Sequence, residues 1–574
     1  MPRFDQKVLF LIDSKDNIKI FYLIFVITIL AFFEVLSIGA IIPFIYSILS
    51  NKDFFLFDYF KNIIDFKSHD KIKYSLILIF LVFLIKNTIA TFFIYFQSSV
   101  ANNIRKNLSE RLYKSYLNID YLVFLKKNSS EFIKNINLEC EIFRYTVFAI
   151  ITAMSEIIIF ISIISFLLFY NLYFSITLTV LVIIFIFIYN LSFKKILKNL
   201  GVSRFENSEK LFKHVTESLT SLKEIKILGI QNNFLKKYNF LNFKYTGNFI
   251  FNEFFLNLPK ILIELIGVTI IVVVFYFNIE NDLAVAELIA SLGVYGLASF
   301  RILPCLNRIL LSYNHLKLSM ETIDKLFLSV NEINEENNIS YDNFQSNKEI
   351  FNIDLINIEN LSFSYGATNS LLIDNINFKI KKNSFVGLIG ESGSGKSTLL
   401  NIIVGLLKPD KGTVYYNNNI NIYNNLKYFH KKISYVSQEI NIIDDTIKNN
   451  IALGVEKDEI DKDKLLKVIE DVKLTSFIKT LNEGIETILG ERGARISGGQ
   501  KQRIGIARAL YFNPDLIIFD EATSALDSST EKEIIETIFQ LKGKKTIIFA
   551  THQVSLLEKC DTIVEIIDNK LKVS

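Results

Sequence analysis

The sequence predicts two domains of different class: an all-α domain that spans a membrane six times and, after it, a soluble α/β domain. Three observations support this fold. Nearly all long apolar runs lie before about residue 315, residues 329–350 are rich in Asn, Glu and Ser, and a glycine-rich loop at residues 390–398 separates a strand-like stretch from a helical one. Crossing the ~30 Å hydrocarbon core of a bilayer takes about 20 apolar residues in a helix, which the early runs supply.

The composition separates the chain from ordinary soluble enzymes and from disordered proteins. Its 574 residues are 50% hydrophobic and 21% charged, with 52 phenylalanines and no tryptophan, and the mean hydropathy is +0.33. Such a chain needs lipid around part of its length. The net charge of +4, from 63 basic and 59 acidic residues, is too nearly balanced to indicate a nucleic-acid partner. Cys140, Cys305 and Cys560 lie far apart, so neither a disulfide framework nor a zinc site is indicated.

Six apolar runs are long enough to cross the bilayer, and they fill the domain that we assign to residues 1–328. They lie near residues 20–49, 73–98, 145–170, 172–193, 250–277 and 284–312. The first run is too long for a signal peptide and no small-residue cleavage site follows it, so we expect it to remain as a span. Residues 1–18 mix polar and apolar positions, which fits either an interfacial helix or a frayed tail.

Basic residues indicate the orientation, because Lys and Arg are retained on the cytoplasmic side of a membrane. They concentrate in the connections at residues 105–144 and 194–244, whereas the connection after the fifth run is short and acidic. Both basic connections should be cytoplasmic, together with both termini and the α/β domain. Each has a helical pattern long enough to carry membrane helices well beyond the bilayer. Residues 54–66, on the outer side, fit a short surface helix or a partly structured loop.

The second domain, residues 351–574 after a linker at 329–350, contains a phosphate-binding motif. Its glycines let backbone amides turn toward phosphate groups, and the start of the following helix adds positive potential. Lys396 is placed to reach the β and γ phosphates of a nucleotide, and the Ser397 hydroxyl to bind magnesium. The motif consists of Gly390, Glu391, Ser392, Gly393, Ser394, Gly395, Lys396, Ser397 and Thr398.

Two carboxylates follow a second strand-like stretch, LIIFDE at residues 516–521. Asp520 would hold magnesium through its coordination shell, and Glu521 could polarise the attacking water as a general base. Taken alone, two acidic residues after a strand could also be a cap, so this interpretation depends on the phosphate-binding motif.

A third motif, Ile496-Ser497-Gly498-Gly499-Gln500, resembles the LSGGQ signature of the ATP-binding cassette (ABC) ATPases, with Ile in place of Leu. The resemblance extends over residues 352–574 and implies ATP and Mg²⁺ as cofactors. It implies that Tyr365 stacks on adenine and that Gln438 is the Q-loop ligand of nucleotide and magnesium. It also implies that His552 is the catalytic switch histidine beside Glu521. The X-loop would lie at residues 490–493, and the D-loop would start at Ser524 and end at Asp527.

The signature has a physical role only in a dimer. Ser497 and the amides of Gly498 and Gly499 begin a helix, which suits a γ-phosphate, but the nucleotide of the same chain is already held by its own loop. In the ABC family each ATP lies between the phosphate-binding loop of one chain and the signature of the other. With one cassette per chain, the resemblance implies a homodimeric half-transporter of exporter type. Helices near 115–125 and 205–220 are then candidates for coupling the two domains.

Charged residues within the apolar runs are the candidate substrate contacts, since a charge inside a bilayer costs between about 2.5 and 10 kcal/mol unless it faces a cavity or a partner. Lys86 lies in the second run, and Arg301 and Arg308 lie on one helix face of the sixth. Doubled by a dimer, they could surround a cavity and hold a pyrophosphate. For Lys86 the alternatives are an ion pair with a glutamate of a neighbouring span or a side chain that snorkels to the interface, and for the arginines an ion pair or contact with lipid headgroups.

Residues 54–66, 112–124 and 298–316 resemble the flippase of bacterial protein N-glycosylation, which acts in the inner membrane. The resemblance implies ATP-driven flipping of a polyprenyl-pyrophosphate-linked oligosaccharide, with this lipid-linked oligosaccharide and the membrane lipids as partners. Two other classes stay open. An exporter of another amphiphile, such as a lipopolysaccharide precursor, a drug or a peptide, would use the same cassette. A nucleotide-gated channel or regulator is favoured less, because Glu521 and His552 are both intact.

Overall fold

A computed structural model describes residues 3–40, 68–170, 172–280, 285–336, 352–366, 371–417, 420–424, 426–523, 528–552 and 558–573. The predicted outer helix at residues 54–66 lies outside these ranges. The chain divides into two compact units. The first consists of Met1–Ile119 and Lys126–Glu336, and the second of Asp120–Leu125 and Asn337–Ser574.

The first unit is helical throughout its described part, apart from short turns. Its helices, with one short helix that falls mostly in the second unit (α4), are α1 (Phe4–Leu11), α2 (Ser14–Gly39), α3 (Ser68–Leu117), α4 (Tyr121–Lys126), α5 (Ser129–Lys134), a π-helical turn (Asn135–Glu139), α6 (Cys140–Tyr170), α7 (Leu172–Thr220), α8 (Leu222–Ile227), α9 (Gln231–Glu280), α10 (Val285–Leu318) and α11 (Met320–Glu336). The last of these continues past residue 328, into the segment that the sequence predicts as a linker.

Four helical stretches of the described residues are long and apolar enough to cross a membrane. They are Ile18–Gly39, Ile72–Leu117, Ser129–Phe169 and Thr179–Thr220. The second contains the whole predicted span 73–98, and the other three overlap most of the described part of the predicted spans 20–49, 145–170 and 172–193. The helix α2 ends at Gly39, and the remainder of the first predicted apolar run lies largely among the undescribed residues 41–67. The runs at 250–277 and 284–312 fall in α9 and α10, so the count of six spans stays a prediction.

Three helices of this unit are far longer than a bilayer needs. The helix α3 has 50 residues, which makes it about 75 Å long at 1.5 Å per residue, and α7 and α9 are of similar length. A turn with Gly229 at φ 68° separates α8 from α9. The second candidate coupling segment, residues 205–220, is an uninterrupted part of α7, and the short helix α8 follows it. Its role in coupling stays a prediction.

The N-terminal segment forms a helix that packs on protein. Val8 and Leu11 of α1 are buried, and Lys7 forms an ion pair with Asp324 of α11 at 2.7 Å. The rings of Phe10 and Phe327 meet edge to face at 5.1 Å. Of the two alternatives for residues 1–18, the helix is what the structure shows, and its apolar face contacts α11.

A buried cluster of charged and polar side chains, formed by Lys134, Glu139, Arg204 and Thr322, connects different helices of the first unit. The Glu139 side chain is fully buried at the end of the π-helical turn, 3.6 Å from Lys134 Nζ and 3.6 Å from Arg204 Nη2. The Thr322 hydroxyl of α11 donates to Glu139 at 2.8 Å and accepts from Arg204 at 2.6 Å. Two cations thus share one carboxylate, and the cluster joins the start of α6 to α7 and α11.

Replacing Glu139 by Ala should destabilise the folded protein by about 3–5 kcal/mol, because two buried cations lose their counter-charge. The measurement is the thermal unfolding midpoint in detergent. The matched control is Glu206→Ala, since the pair of Glu206 with Lys210 spans 3.8 Å between side chains that are about 60% exposed and should contribute little. Equal midpoints for the two variants would show that the cluster is not stabilising.

The second unit contains two sheets. Strands β2 (Ile373–Lys381), β1 (Leu355–Phe363), β4 (Lys411–Tyr416) and β5 (Ile420–Asn421) form an antiparallel sheet in that order. The other sheet has the order β10 (Lys570–Val573), β9 (Thr562–Ile567), β3 (Phe385–Gly390), β8 (Thr546–Ala550), β7 (Leu516–Asp520) and β6 (Ile433–Val436). All neighbours from β9 to β6 pair in parallel. Every residue of β7 and β8 is buried, as continuous apolar strands of a covered parallel sheet require.

The described part of this unit also contains seven α-helices besides α4. They are α12 (Lys396–Ile403), α13 (Leu426–His430), α14 (Ile447–Ile451), α15 (Lys462–Asp471), α16 (Thr475–Lys479), α17 (Gly498–Tyr511) and α18 (Ser528–Phe539). Tyr121 and Leu122, in the short segment of α4 that belongs to this unit, pack against its hydrophobic core. A helical domain followed by an α/β domain is the fold class that the sequence predicts.

Candidate functional site

The candidate site lies at the carboxyl ends of the parallel strands. Parallel strands present their carboxyl ends at one edge, where open α/β sheets bind their ligands. The glycine-rich loop follows β3, Asp520 ends β7, His552 follows β8 and Gln438 follows β6. The topology therefore brings together residues that are more than 150 positions apart in the sequence.

The glycine-rich loop curls around the ammonium group of Lys396. Lys396 Nζ donates to the carbonyl oxygens of Gly390 at 2.9 Å and Glu391 at 3.1 Å. Gly393 and Gly395 have φ of 83° and 98°, a backbone region open mainly to glycine. A side chain on Gly390 would bring its Cβ to 2.5 Å from Ser394 Oγ. The loop therefore needs these glycines to reach the shape that cradles a phosphate.

Two oxygen groups that suit magnesium lie side by side. The Ser397 hydroxyl donates to Asp520 Oδ1 at 3.2 Å, and the Asp520 carboxylate is nearly buried. Hydroxyl and carboxylate oxygens are the hard ligands that Mg²⁺ prefers, so the residues fit this ion. The Gln438 amide instead donates to Glu521 Oε2, on the next residue after Asp520, at 3.2 Å. When bound, the ion supplies positive charge against the phosphates of the nucleotide.

Glu521 stands between a cation and an imidazole. Its Oε1 lies 2.6 Å from His552 Nε2 and 3.5 Å from Lys396 Nζ, and Lys396 Nζ is 3.3 Å from the same histidine nitrogen. Glu521 has φ of 49°, so the chain turns sharply where β7 ends and presents this carboxylate beside the phosphate-binding loop. An acceptor oxygen in this position can take a proton from a water molecule that attacks a phosphate.

Tyr365 contacts the last residue of the glycine-rich loop, Thr398. Its ring packs edge to face on Phe363 at 5.0 Å, and its hydroxyl is 3.1 Å from Thr398 Oγ1. The residue is 39% exposed, so part of the ring is available to a planar base. The adenine-stacking role that the resemblance implies stays a prediction.

The signature forms the start of α17. Ser497 caps the helix by accepting from the Gln500 amide at 3.3 Å, and the Gln500 side chain accepts from the Ser497 amide at 2.8 Å. Ser497 and Gly498 are exposed, whereas Gly499 and Gln500 are half-buried. The positive end of this helix is therefore accessible from outside the chain. Asp527 and the rest of the predicted D-loop lie outside the described residues.

Sequence reasoning missed one residue of the site. The Tyr435 hydroxyl donates to Asp520 Oδ2 at 2.7 Å, and burial together with this carboxylate raises the pKa of Tyr435. The tyrosine therefore stays protonated and keeps its hydrogen to donate. It lies three positions before Gln438, on a strand that pairs with the strand of Asp520, but the sequence does not show which strands are neighbours.

The three candidate substrate residues of the first unit all have carboxylate partners. Lys86 Nζ is 3.4 Å from Glu34 Oε2, and Arg301 Nη2 is 2.8 Å from Glu34 Oε1. Arg308 Nη1 lies 2.6 Å from Glu156 Oε1. A role in substrate binding stays a prediction, whereas ion pairing with glutamates, one of the alternatives above, is what the structure shows. The reason is that Glu34 and Glu156 are almost fully buried and need a counter-charge.

Arg308 differs from the other two cations in its exposure. Its side chain is 47% exposed, against 14% for Lys86 and 20% for Arg301. With Arg144 it lines a cavity of about 370 Å³ between α6 and α10, whose other walls are largely apolar or aromatic. Glu264, in the predicted fifth span, is exposed.

Comparisons with known proteins agree with this architecture. The family model "ABC transporter transmembrane region" matches residues 17–294, and the model "ABC transporter" matches residues 373–524. A solved bacterial Atm1-family ABC exporter with ATP bound has a TM-score of 0.79, with 20% identity, over 98% of this chain and 96% of its own. That likeness concerns the fold.

Two relatives show how far the sequence similarity reaches. A Rickettsia felis protein, named provisionally as an export ATP-binding/permease protein, is 32% identical over 66% of this chain and 64% of its own length. The ATP-dependent lipid A-core flippase of Idiomarina loihiensis is 38% identical over 37% of this chain and 36% of its own length. The aligned regions thus span less than two thirds of these relatives.

The membrane model and the ATPase model match in the order of the two units, and the fold agrees over nearly the whole chain. The chain therefore belongs to the ABC transporter family, in which hydrolysis of ATP with Mg²⁺ is coupled to transport.

Proposed function

We propose that the protein is an ATP-driven flippase for an amphiphile with an anionic headgroup, and that its substrate is a polyprenyl-pyrophosphate-linked oligosaccharide used for protein glycosylation. The observation that supports this proposal is a set of ion pairs in the first unit, on helices that contain predicted membrane spans. Lys86 and Arg301 share one carboxylate, that of Glu34, which leaves one positive charge in excess within this group of three, and Arg308 pairs one to one with Glu156.

An excess positive charge at this place suits a phosphate. Pyrophosphate cannot enter hydrocarbon unpaired, because the cost of moving an isolated ion there reaches tens of kcal/mol. Arginine binds phosphate oxygens through two parallel N–H donors, whereas lysine acts as a point charge. Arg308 uses one terminal nitrogen for Glu156 and is half-exposed, so it is the residue of the three best placed to meet a headgroup.

The ATPase site should be completed by a second copy of the chain. The exposed start of α17 presents Ser497 and Gly498 outward, and a helix N-terminus attracts a phosphate group. A homodimer would place this signature over the nucleotide held by Lys396 and Ser397 of the partner. We place this dimer in a bacterial inner membrane, with both termini and the ATPase domain in the cytoplasm, as the basic connections indicate.

A lipopolysaccharide precursor is the second candidate substrate. The names of two relatives favour it, the lipid A-core flippases of Idiomarina loihiensis and Pasteurella multocida. Both candidates are lipids with anionic headgroups, so they share the charge argument and differ in the lipid and the sugar.

The direct test is transport by purified protein in proteoliposomes. We expect ATP-dependent flipping of a polyprenyl-pyrophosphate oligosaccharide and stimulation of ATPase activity by it, with a polyprenol-linked neutral sugar as the matched control. Flipping of lipid A-core alone would replace the first candidate by the second. Equal handling of the neutral lipid would contradict the role of the positive charge.

The ion pairs determine which variants can test the cations. Changing Lys86, Arg301 and Arg308 to Gln would leave Glu34 and Glu156 buried without partners, at a cost of about 3–5 kcal/mol for each broken group. A variant that also changes both glutamates to Gln removes the charges in balance. We expect it to stay folded and keep basal ATPase activity, and to lose about 10- to 100-fold in flipping, since a hydrogen bond to a charged group contributes about 1.5–3 kcal/mol.

Gel filtration and basal ATPase activity are the folding controls for this five-site variant. The change of Lys73 to Gln, a lysine in the first part of α3 that none of these ion pairs involves, gives a control for lost charge as such. Flipping at the wild-type rate by a folded five-site variant would make the cations purely structural.

A further inference from the structure

The Asp520 carboxylate is held at both of its oxygens by hydroxyl groups from different elements. Oδ1 accepts from Ser397 at the start of α12, at 3.2 Å, and Oδ2 accepts from Tyr435 of β6, at 2.7 Å. Asp520 itself is only 7% exposed. The shorter of the two bonds comes from a residue outside the motifs that mark the ATP site.

We propose that Tyr435 is a positioning residue for the magnesium site: its hydroxyl fixes the rotation of the Asp520 carboxylate, so that Oδ1 is left to face the Ser397 hydroxyl. The inference rests on the proposed roles of Asp520 and Ser397 in holding magnesium, and it is independent of the transported lipid. Tyr435 would act through Asp520 and would not itself touch the nucleotide.

The strand pairing explains why this tyrosine can hold its position. Tyr435 stands opposite Ile518 in the parallel pair of β6 and β7. Since side chains alternate along a strand, Ile518 and Asp520 point to the same face of the sheet. The pairing of β6 with β7 thus places the Tyr435 hydroxyl beside the Asp520 carboxylate. The phosphate-binding loop contributes only the other hydrogen bond to this carboxylate, from Ser397.

Orientation of the carboxylate matters because its terminal torsion is soft. The last side-chain torsion of Asp has a broad, roughly two-fold preference, and an unanchored carboxylate can turn away from an ion. Groups that orient a metal ligand typically change metal affinity or activity by about 10- to 100-fold when removed. Ser397 should be drawn toward the ion, which leaves Tyr435 as the anchor on the far oxygen.

The test is Tyr435→Phe, which keeps the ring and removes only the hydroxyl. The probe is Mn²⁺ in place of Mg²⁺, with binding measured by electron paramagnetic resonance on the full-length protein with ATP, in a Glu521→Gln background that prevents turnover. We expect the Kd for Mn²⁺ to rise about 10-fold, while the Kd for ATP measured with EDTA stays unchanged. In otherwise wild-type protein, the Mg²⁺ concentration for half-maximal hydrolysis should rise more than kcat falls.

Two matched variants keep the result interpretable. Tyr423→Phe removes another buried hydroxyl, which donates to the carbonyl oxygens of Ile402 and Leu407, and should leave Mn²⁺ affinity unchanged. Asp520→Asn should weaken Mn²⁺ binding more than Tyr435→Phe. Loss of affinity in Asp520→Asn with none in Tyr435→Phe overturns the inference, as do equal losses in the two tyrosine variants. No loss in Asp520→Asn overturns the proposed magnesium site itself.

Discussion

Replacing Glu521 by Gln should leave ATP binding intact and lower hydrolysis by about 10²- to 10⁴-fold. The amide keeps the shape of the side chain but cannot accept a proton from the attacking water, and general-base catalysis contributes an effect of this size. The position of Glu521, within 3.5 Å of Lys396 and 2.6 Å of His552, places the lost base beside the phosphate-binding loop. ATPase rate and retained nucleotide after gel filtration are the measurements.

The same variant should also accumulate a closed dimer with ATP bound, because hydrolysis would no longer release it. Glu483→Gln is the matched control, since Glu483 is exposed on the same unit and should hydrolyse ATP at the wild-type rate. Hydrolysis at that rate by Glu521→Gln would refute its assignment as the base.

Mixing Lys396→Ala chains with Ser497→Ala chains should restore activity that neither variant has alone. If each ATP lies between the loop of one chain and the signature of the other, a mixed dimer has one site with both lesions and one unaltered site. The two groups act in different ways: Lys396 is bound within its own loop, and Ser497 is exposed at a helix start. The ATPase rate of dimers purified with two different affinity tags is the measurement.

If the mixed dimers show no ATPase activity, two explanations are possible, and a cross-linking experiment distinguishes them. Either the two sites work only together, or the sandwich does not form. Cysteines placed at Ser497 and in the opposite glycine-rich loop should cross-link in the presence of ATP. Failure to cross-link in that state would count against the composite site.

The ATP site could be predicted from the sequence largely because its parts are local. The loop from Gly390 to Thr398 carries its glycines, lysine and hydroxyls in one stretch between strand and helix, and Ser497 to Gln500 form a capping box from neighbouring residues. Tyr435 could not be found in this way. Its role depends on which strand pairs with β7, and that pairing is a property of the folded sheet.

In the first unit, too, the sequence alone does not show which charged residues form ion pairs. The apolar runs predict helices, but the partner of Lys86 is Glu34, 52 positions away on another helix. Which buried charges meet depends on helix rotation and packing, and apolar periodicity alone leaves both undetermined. The same holds for α1, whose contact with α11 joins residues 317 positions apart.

The partly exposed ring of Tyr365 has a practical consequence for spectroscopy. The chain has 25 tyrosines and no tryptophan, so its intrinsic emission has no indole component. Tyr365→Trp would place a single indole against Phe363 and the start of α12, where a stacked adenine should quench it. The full-length protein could then report nucleotide occupancy by its own fluorescence, without a label and without emission from any other indole.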